Sequence, residues 1–354
     1  MESAEKLVRT THYVHNGEGW ALAVKQTYSA GRLCRSRPPI AIVPGYGMNA
    51  FIFGYHPTGK SMEGYWAGEG FEVWSVNLRG QDGSKCVGGK RPYGFRDAAV
   101  TDLGCVLEYI VRHTETSCSR VDGVGCSLGG TYLFVYLACM GSASRLGSVV
   151  AIGAPLQWRD VHPALKAVFG SKWLAGSIRV RGARQLAGMA MPLLKRVPRL
   201  LGVYLHPAIV DTSKMNEMVQ TVEDPNPFLN REIAEWLRSG DLFVRGVNVT
   251  EGVAGARNPL LVVLSNADGI VPESSALSAY ERMGSLKKDI LRVGTESVPV
   301  AHADLFVSDV AQQWVFEPLA KWLISADPEQ KGRPVRSRSA SARGGRARRR
   351  SCPE

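Results

Sequence analysis

The chain has no apolar run long enough to cross a bilayer, which takes roughly 18 or more consecutive residues. Its opening residues, MESAEKLVRTTHYV, contain no apolar core of the kind that drives secretion. Its seven cysteines (Cys34, Cys86, Cys105, Cys118, Cys126, Cys139 and Cys352) are odd in number, scattered, and never spaced C-x-x-C. That pattern argues against a disulfide framework or a zinc site and predicts free thiols in a reducing compartment. The expected location is therefore cytoplasmic, where the sequon Asn248-Val249-Thr250 has no role. No metal, nucleotide or flavin signature occurs, so no cofactor and no metal are expected. Gly88-Gly89-Lys90 comes nearest to a phosphate loop. Arg91 follows where Ser or Thr is needed, and Ser84 stands where the first glycine belongs.

Acidity is also scarce: the formal net charge of the 354 residues is +11. Lys331–Glu354 holds eight Arg and one Lys against one Glu, which leaves +3 for residues 1–330. The positive charge is thus mainly a property of the end of the chain. Residues 327–354, rich in Arg, Ser, Ala and Gly, cannot bury enough apolar surface to fold and read as disordered. A tail of this kind is either a solvated end or a weak attractor of nucleic acid or of an acidic surface.

The body has globular composition, 45% hydrophobic and 21% charged, and strands alternate with helices along much of it. Thr10–Val14 and Trp20–Tyr28 predict a hairpin around Asn16-Gly17-Glu18-Gly19. Short apolar strands follow at Ile40–Val43, Phe71–Asn77, from Val121, at Gly147–Ile152, Pro259–Leu264 and Asp289–Val293. Helical patterns fall at Ser61–Gly68, Phe95–His113, Gly129–Met140, Ser274–Arg282 and Leu305–Ile324. This alternation predicts an α/β fold, a mostly parallel sheet covered by helices on both faces. From Leu156 to Ala256 the alternation stops and helices dominate. The expected organisation is a core at 1–155 and 257–326, interrupted by a helical cap at 156–256, with the tail from 327.

In such sheets, ligands sit beyond the carboxyl ends of the strands. The Val121 strand runs into Gly125-Cys126-Ser127-Leu128-Gly129, and a helical pattern follows directly. G-x-S-x-G between a strand and a helix places a serine at the apex of a tight turn. The Pro259 strand ends in Asn266-Ala267-Asp268-Gly269, and the Asp289 strand is followed by Ala301-His302-Ala303-Asp304. The chain order is Ser127, Asp268, His302.

With these motifs the chain resembles α/β-hydrolase-fold serine hydrolases over most of its length. PGYGMN, NLRGQDGS, GCSLGG, NADGIVP and HADLF carry the likeness. It is similar to the acid-lipase and esterase branch, with some likeness to polyhydroxyalkanoate synthase and depolymerase cores. It departs at Pro44-Gly45, where His-Gly is common, and at Cys126, where His is common. The resemblance implies that Ser127 attacks an ester carbonyl, that His302 is its base, and that Asp268 orients the imidazole. Backbone N–H groups of Tyr46 and Leu128 are the expected oxyanion donors. The expected substrate is a small-molecule or lipid-like ester with an apolar acyl group. Acyl transfer to another acceptor, as in a polyester synthase, uses the same triad. A binding protein acting through its basic tail is the alternative of another class.

Rival assignments are weaker. Asp304 reads as an N-cap of the last helix. Asp102 lies inside a helix, far from any strand end. His113 ends a helix, and His162 and His206 precede prolines in the cap. Cys126 is off the apex. Met189, Met191, Leu193, Leu194, Leu200 and Leu201, with Trp158, Trp173 and Trp236, form either an acyl-chain surface or the cap's own core.

Overall fold

The computed structural model describes residues 6–194, 196 and 201–326. The opening hairpin joins β1 (Leu7–His15) to β2 (Trp20–Ser29), and Asn16 Oδ1 accepts the N–H groups of Glu18 and Trp20 at the turn. Next come β3 (Ile40–Val43), β4 (Val73–Val76), the two-residue β5 (Lys85–Cys86), β6 (Val121–Cys126) and β7 (Leu146–Ile152). Beyond them lie a small separate pair, β8 (Phe243–Val244) and β9 (Val247–Asn248), then β10 (Leu260–Ser265) and β11 (Lys288–Val293). The main sheet runs β1-β2-β4-β3-β6-β7-β10-β11, with β5 on the edge of β2. From β4 to β11 all neighbours are parallel, while β1, β2 and β4 are joined antiparallel.

Alternate residues of the parallel strands feed two separate cores. Ala41, Val43 and Val262 face one side with the helix Leu128–Met140, and Ile40, Ile42, Leu261 and Val263 face the other. Both faces are covered, as expected of strands that read as continuous apolar runs. Two buried carboxylates stitch the antiparallel edge. Glu63 accepts from Thr27 Oγ1 (2.7 Å), Ser75 Oγ (2.9 Å) and Lys25 Nζ (2.8 Å). Glu72 takes Gln26 Nε2 (2.5 Å) and Trp74 Nε1 (3.1 Å).

Two expected helices are interrupted. The last one is a short turn, Asp304–Val307, then a break, a π-turn at Gln312–Phe316 and a helix Glu317–Ala326. Phe95–His113 begins as a π-turn over Arg96–Asp102. Asp102 sits at that junction, buried, and accepts from Arg79 Nε (2.8 Å), Arg79 Nη2 (2.7 Å) and Asn16 Nδ2 (2.6 Å). It therefore anchors the NLRG loop.

Between β7 and β10 the chain forms helices Pro163–Phe169, Lys172–Ser177, Ala183–Leu194 and Pro227–Ser239, with shorter turns between. Asn226 caps the last of these through the N–H groups of Phe228 and Leu229. The segment closes with Val249–Ala254, which packs on the core helix Leu128–Met140. The tail expected from residue 327, and Leu200 of the expected acyl surface, lie outside the described residues.

Candidate active site

Ser127 follows the last residue of β6 and has φ 52° and ψ −122°, a conformation costly for any residue with a Cβ. The turn is tight because glycines flank it. A Cβ on Gly129 would strike the Val43 carbonyl, and one on Gly125 would strike the backbone of Gly130. The Ser127 N–H donates to Ile152 O (2.8 Å), which ties the turn to the end of β7. Its hydroxyl makes no hydrogen bond among the described residues. Helix Leu128–Met140 starts immediately after it, aiming its N-terminal N–H groups at the same space.

Asp268 and His302 come from the loops after β10 and β11. Those loops are joined by Ala267 N–H to Val300 O (3.0 Å) and by Val300 N–H to Asn266 Oδ1 (2.8 Å). His302 Nδ1 lies 2.6 Å from Asp268 Oδ2. Asp268 Oδ1 accepts the N–H groups of Ile270 (2.8 Å) and Val271 (2.9 Å). Burial opposes ionisation of Asp268, but the charge and hydrogen bond of His302 and the two N–H donors hold its carboxyl below the usual range. Burial favours a neutral imidazole, yet Asp268 outweighs it and raises the affinity of His302 for its second proton. The pair lies against Gly153, the residue after Ile152. A Cβ there would lie 2.9 Å from His302 Cε1 and 3.2 Å from Asp268 Oδ2.

On the other side of Ser127, β3 ends in Pro44-Gly45-Tyr46. A Cβ on Gly45 would lie 2.9 Å from the Ser127 Cβ. The N–H groups of Tyr46 and Leu128 find no acceptor among the described residues. The Tyr46 hydroxyl donates to Asn230 Oδ1 (2.6 Å), and burial pushes its phenol up to about 12.

Above Ser127 is a cavity of about 70 Å³. Leu165, Phe169, Ile233, Trp236 and Trp158 form much of its wall. The expected acyl surface is thus divided. Trp158 and Trp236 line the cavity, whereas Met189, Leu193 and Trp173 face solvent and Leu201 is buried in the core.

Asp304 is not an N-cap. Ala303 holds that position, and the buried Asp304 carboxylate instead accepts the N–H groups of Ala301 (2.7 Å) and His206 (2.9 Å). Burial lifts its pKa to about 6. It belongs to a strap that the sequence did not reveal. Residues 203–206 cross the loops after β10 and β11, with Gly269 N–H to Val203 O (3.2 Å) and Ala303 N–H to Tyr204 O (2.8 Å). Backbone donors and acceptors carry most of this contact, and they leave no mark on residue type. A second tie runs through Glu223, which accepts from Asn49 Nδ2 (2.6 Å), Asp82 N–H (3.0 Å) and Arg184 Nη2 (3.1 Å). His113 stacks on Tyr109, away from the site. Cys126 is fully buried within β6, and burial raises its thiol pKa, which keeps it protonated. Among the described residues no cluster of three or more His, Cys, Asp or Glu is arranged to hold a metal. None of the helices there is long and apolar enough to cross a membrane.

An eight-stranded path with this order, a strained serine after β6 and an Asp–His pair after β10 and β11 define an α/β hydrolase fold. Residues 40–326 match the model of the alpha/beta hydrolase family, and the chain belongs to that family. Membership supports hydrolase activity. No curated protein matches the sequence. Solved structures share the fold at low identity. A hydrolase from Pseudomonas aeruginosa is 16% identical, with TM-score 0.57, over 92% of this chain and 100% of its own. A 2-hydroxy-6-oxo-6-phenylhexa-2,4-dienoate hydrolase from a Rhodococcus species is 15% identical, with TM-score 0.57, over 91% and 98%. An esterase from Exiguobacterium antarcticum is 15% identical, with TM-score 0.52, over 89% and 100%.

Proposed function

We propose that the chain is a serine hydrolase that cleaves carboxylic esters with an apolar acyl group, using Ser127, His302 and Asp268. The observation that carries this reading is the strained Ser127 beneath an apolar cavity, on the same end of the sheet as a buried Asp–His pair on the far side of β7. His302 takes the hydroxyl proton as Ser127 Oγ attacks the carbonyl carbon. Asp268 holds the Nδ1–H tautomer and stabilises the imidazolium. The oxyanion meets the N–H groups of Tyr46 and Leu128, each such donor contributing about 3–4 kcal/mol in the transition state. Collapse expels the alcohol, which takes its proton from His302, and leaves an acyl-serine. Water, activated by the same histidine, then releases the acid. Residues 156–256 act as the cap that forms the acyl pocket.

The cavity is smaller than the roughly 300–1,000 Å³ common for ligand sites. A short acyl group fits it as it stands, and a longer one requires the outer helices to move. The same dry, apolar wall suits acyl transfer to an alcohol other than water, and product analysis with a competing alcohol separates the two reactions. Ser127→Ala should abolish hydrolysis of p-nitrophenyl esters, and a fluorophosphonate probe should label Ser127. Activity retained in that variant sinks the proposal.

A further inference from the structure

Between residues 161 and 210 the sequence contains eight Lys or Arg and no Asp or Glu. Lys166, Lys172, Arg179, Arg181 and Arg196 are exposed, and none forms an ion pair with a described carboxylate. Arg184 is the contrast, held by Glu223 at 3.1 Å. In the same stretch, on helices Lys172–Ser177 and Ala183–Leu194, large apolar side chains face outward. Trp173 is 80% exposed, Leu174 64%, Leu186 50%, Met189 72% and Leu193 64%. Leu186, Met189 and Leu193 are spaced i, i+3, i+7, one stripe along helix Ala183–Leu194. Lone exposed apolar residues need no explanation, but five on two successive helices do.

Three occupants could cover such a face. A second copy would bring two uncompensated positive surfaces together, which is repulsive. A nucleic acid would answer the charge, but aliphatic Leu and Met offer it no stacking platform. An anionic bilayer answers both features. Its headgroups pair with Lys and Arg, Trp settles at the interface, and Leu and Met enter the acyl boundary. We propose that the outer face of residues 166–194 and 196 docks on an anionic lipid surface. The location suits this role. Helix Lys172–Ser177 packs on Pro227–Ser239 through Asn230 Nδ2 to Ala175 O (3.1 Å), and Ile233 and Trp236 of that helix line the cavity over Ser127. Docking would set the wall of the cavity against the membrane. The inference does not depend on the serine chemistry, because its test reads binding.

The basic tail would also attract anionic vesicles, so the test varies the outer face within the full chain. The full chain is sedimented with vesicles of phosphatidylglycerol and phosphatidylcholine in equal parts, and with phosphatidylcholine alone. Binding is expected only with the anionic lipid. Replacing Leu174, Met189 and Leu193 together by Ser should weaken it about tenfold or more, and Arg179→Glu with Arg181→Glu should do the same. All five side chains are exposed, and circular dichroism checks that the fold persists. Brominated lipid should quench tryptophan fluorescence in the parent chain, and Trp173→Phe should remove most of that quenching. Unchanged binding in both sets of variants assigns the attraction to the tail and overturns the proposal. So does tighter binding to polyuridylate than to vesicles, insensitive to the apolar substitutions.

Discussion

At the scale of single residues, protonation governs what the site can do. In the proposed mechanism His302 must be neutral to accept the Ser127 proton, and Asp268 raises its pKa above the ordinary imidazole value. The acidic limb of a kcat/KM profile should therefore fall above about pH 6.5. Asp268→Asn should move that limb to lower pH and cut kcat by roughly 10⁴-fold, since the tautomer is no longer held. For stability, His302 contributes fully below the unfolded pKa and loses its contribution as pH rises through the folded one. Asp268, with a depressed pKa, contributes above the unfolded carboxylate value and loses its contribution as pH falls.

Asp304 has the opposite sign to Asp268. Its folded pKa of about 6 lies above the unfolded value, so its contribution is greatest in acid and declines as pH rises through 6. Its ionisation costs about 3 kcal/mol at neutral pH. Asp304→Asn should flatten the pH dependence of Tm between about pH 4 and pH 7, measured by thermal denaturation against the parent. A difference in Tm that stays constant across that range contradicts this role.

At the scale of elements, the strands were legible because each is a short apolar run with turn residues at its ends. Ser127, Asp268 and His302 could be picked out for the same reason, since each follows such a run. The broken last helix was not legible. An apolar stripe from Leu305 to Ile324 reads the same whether it covers the sheet as one rod or as two pieces joined at a kink. The cavity wall was equally hidden. Leu165, Phe169 and Ile233 are scattered over more than sixty positions, and only packing brings them together with Trp158 and Trp236, which the sequence had offered. Asp102 reads as one more helical residue, yet its buried pair with Arg79 fixes the NLRG loop. Asp102→Asn leaves Arg79 with Glu18, at 3.0 Å, as its remaining carboxylate and should cost about 1–3 kcal/mol in denaturant unfolding.

At the scale of the whole molecule, the sheet and its two cores form a base, and the outer helices of the insert form a layer that differs from it chemically. The base buries its carboxylates against lysine, arginine and backbone donors. The outer helices carry cations without carboxylates and apolar groups without cover. Composition showed the first excess of charge, at the end of the chain. It did not show the second, because eight cations spread over fifty residues look ordinary until their faces are known.

The strap at 203–206 and the Glu223 tie divide the insert into held and released parts. The strap binds the loops that carry Asp268 and His302 and the tie binds the loop after Tyr46, so a rigid swing of the whole insert would break these contacts. On the proposed reading, admission of substrate is expected to be peripheral, by parting of helices Pro163–Phe169 and Lys172–Ser177 while the strap stays in register. Amide exchange should record this as a step in opening rate, with protected N–H groups on Gly269, Ala303 and His206 and rapid ones on the outer helices. For a bulky ester, turnover would follow the frequency of that parting and become indifferent to the leaving group.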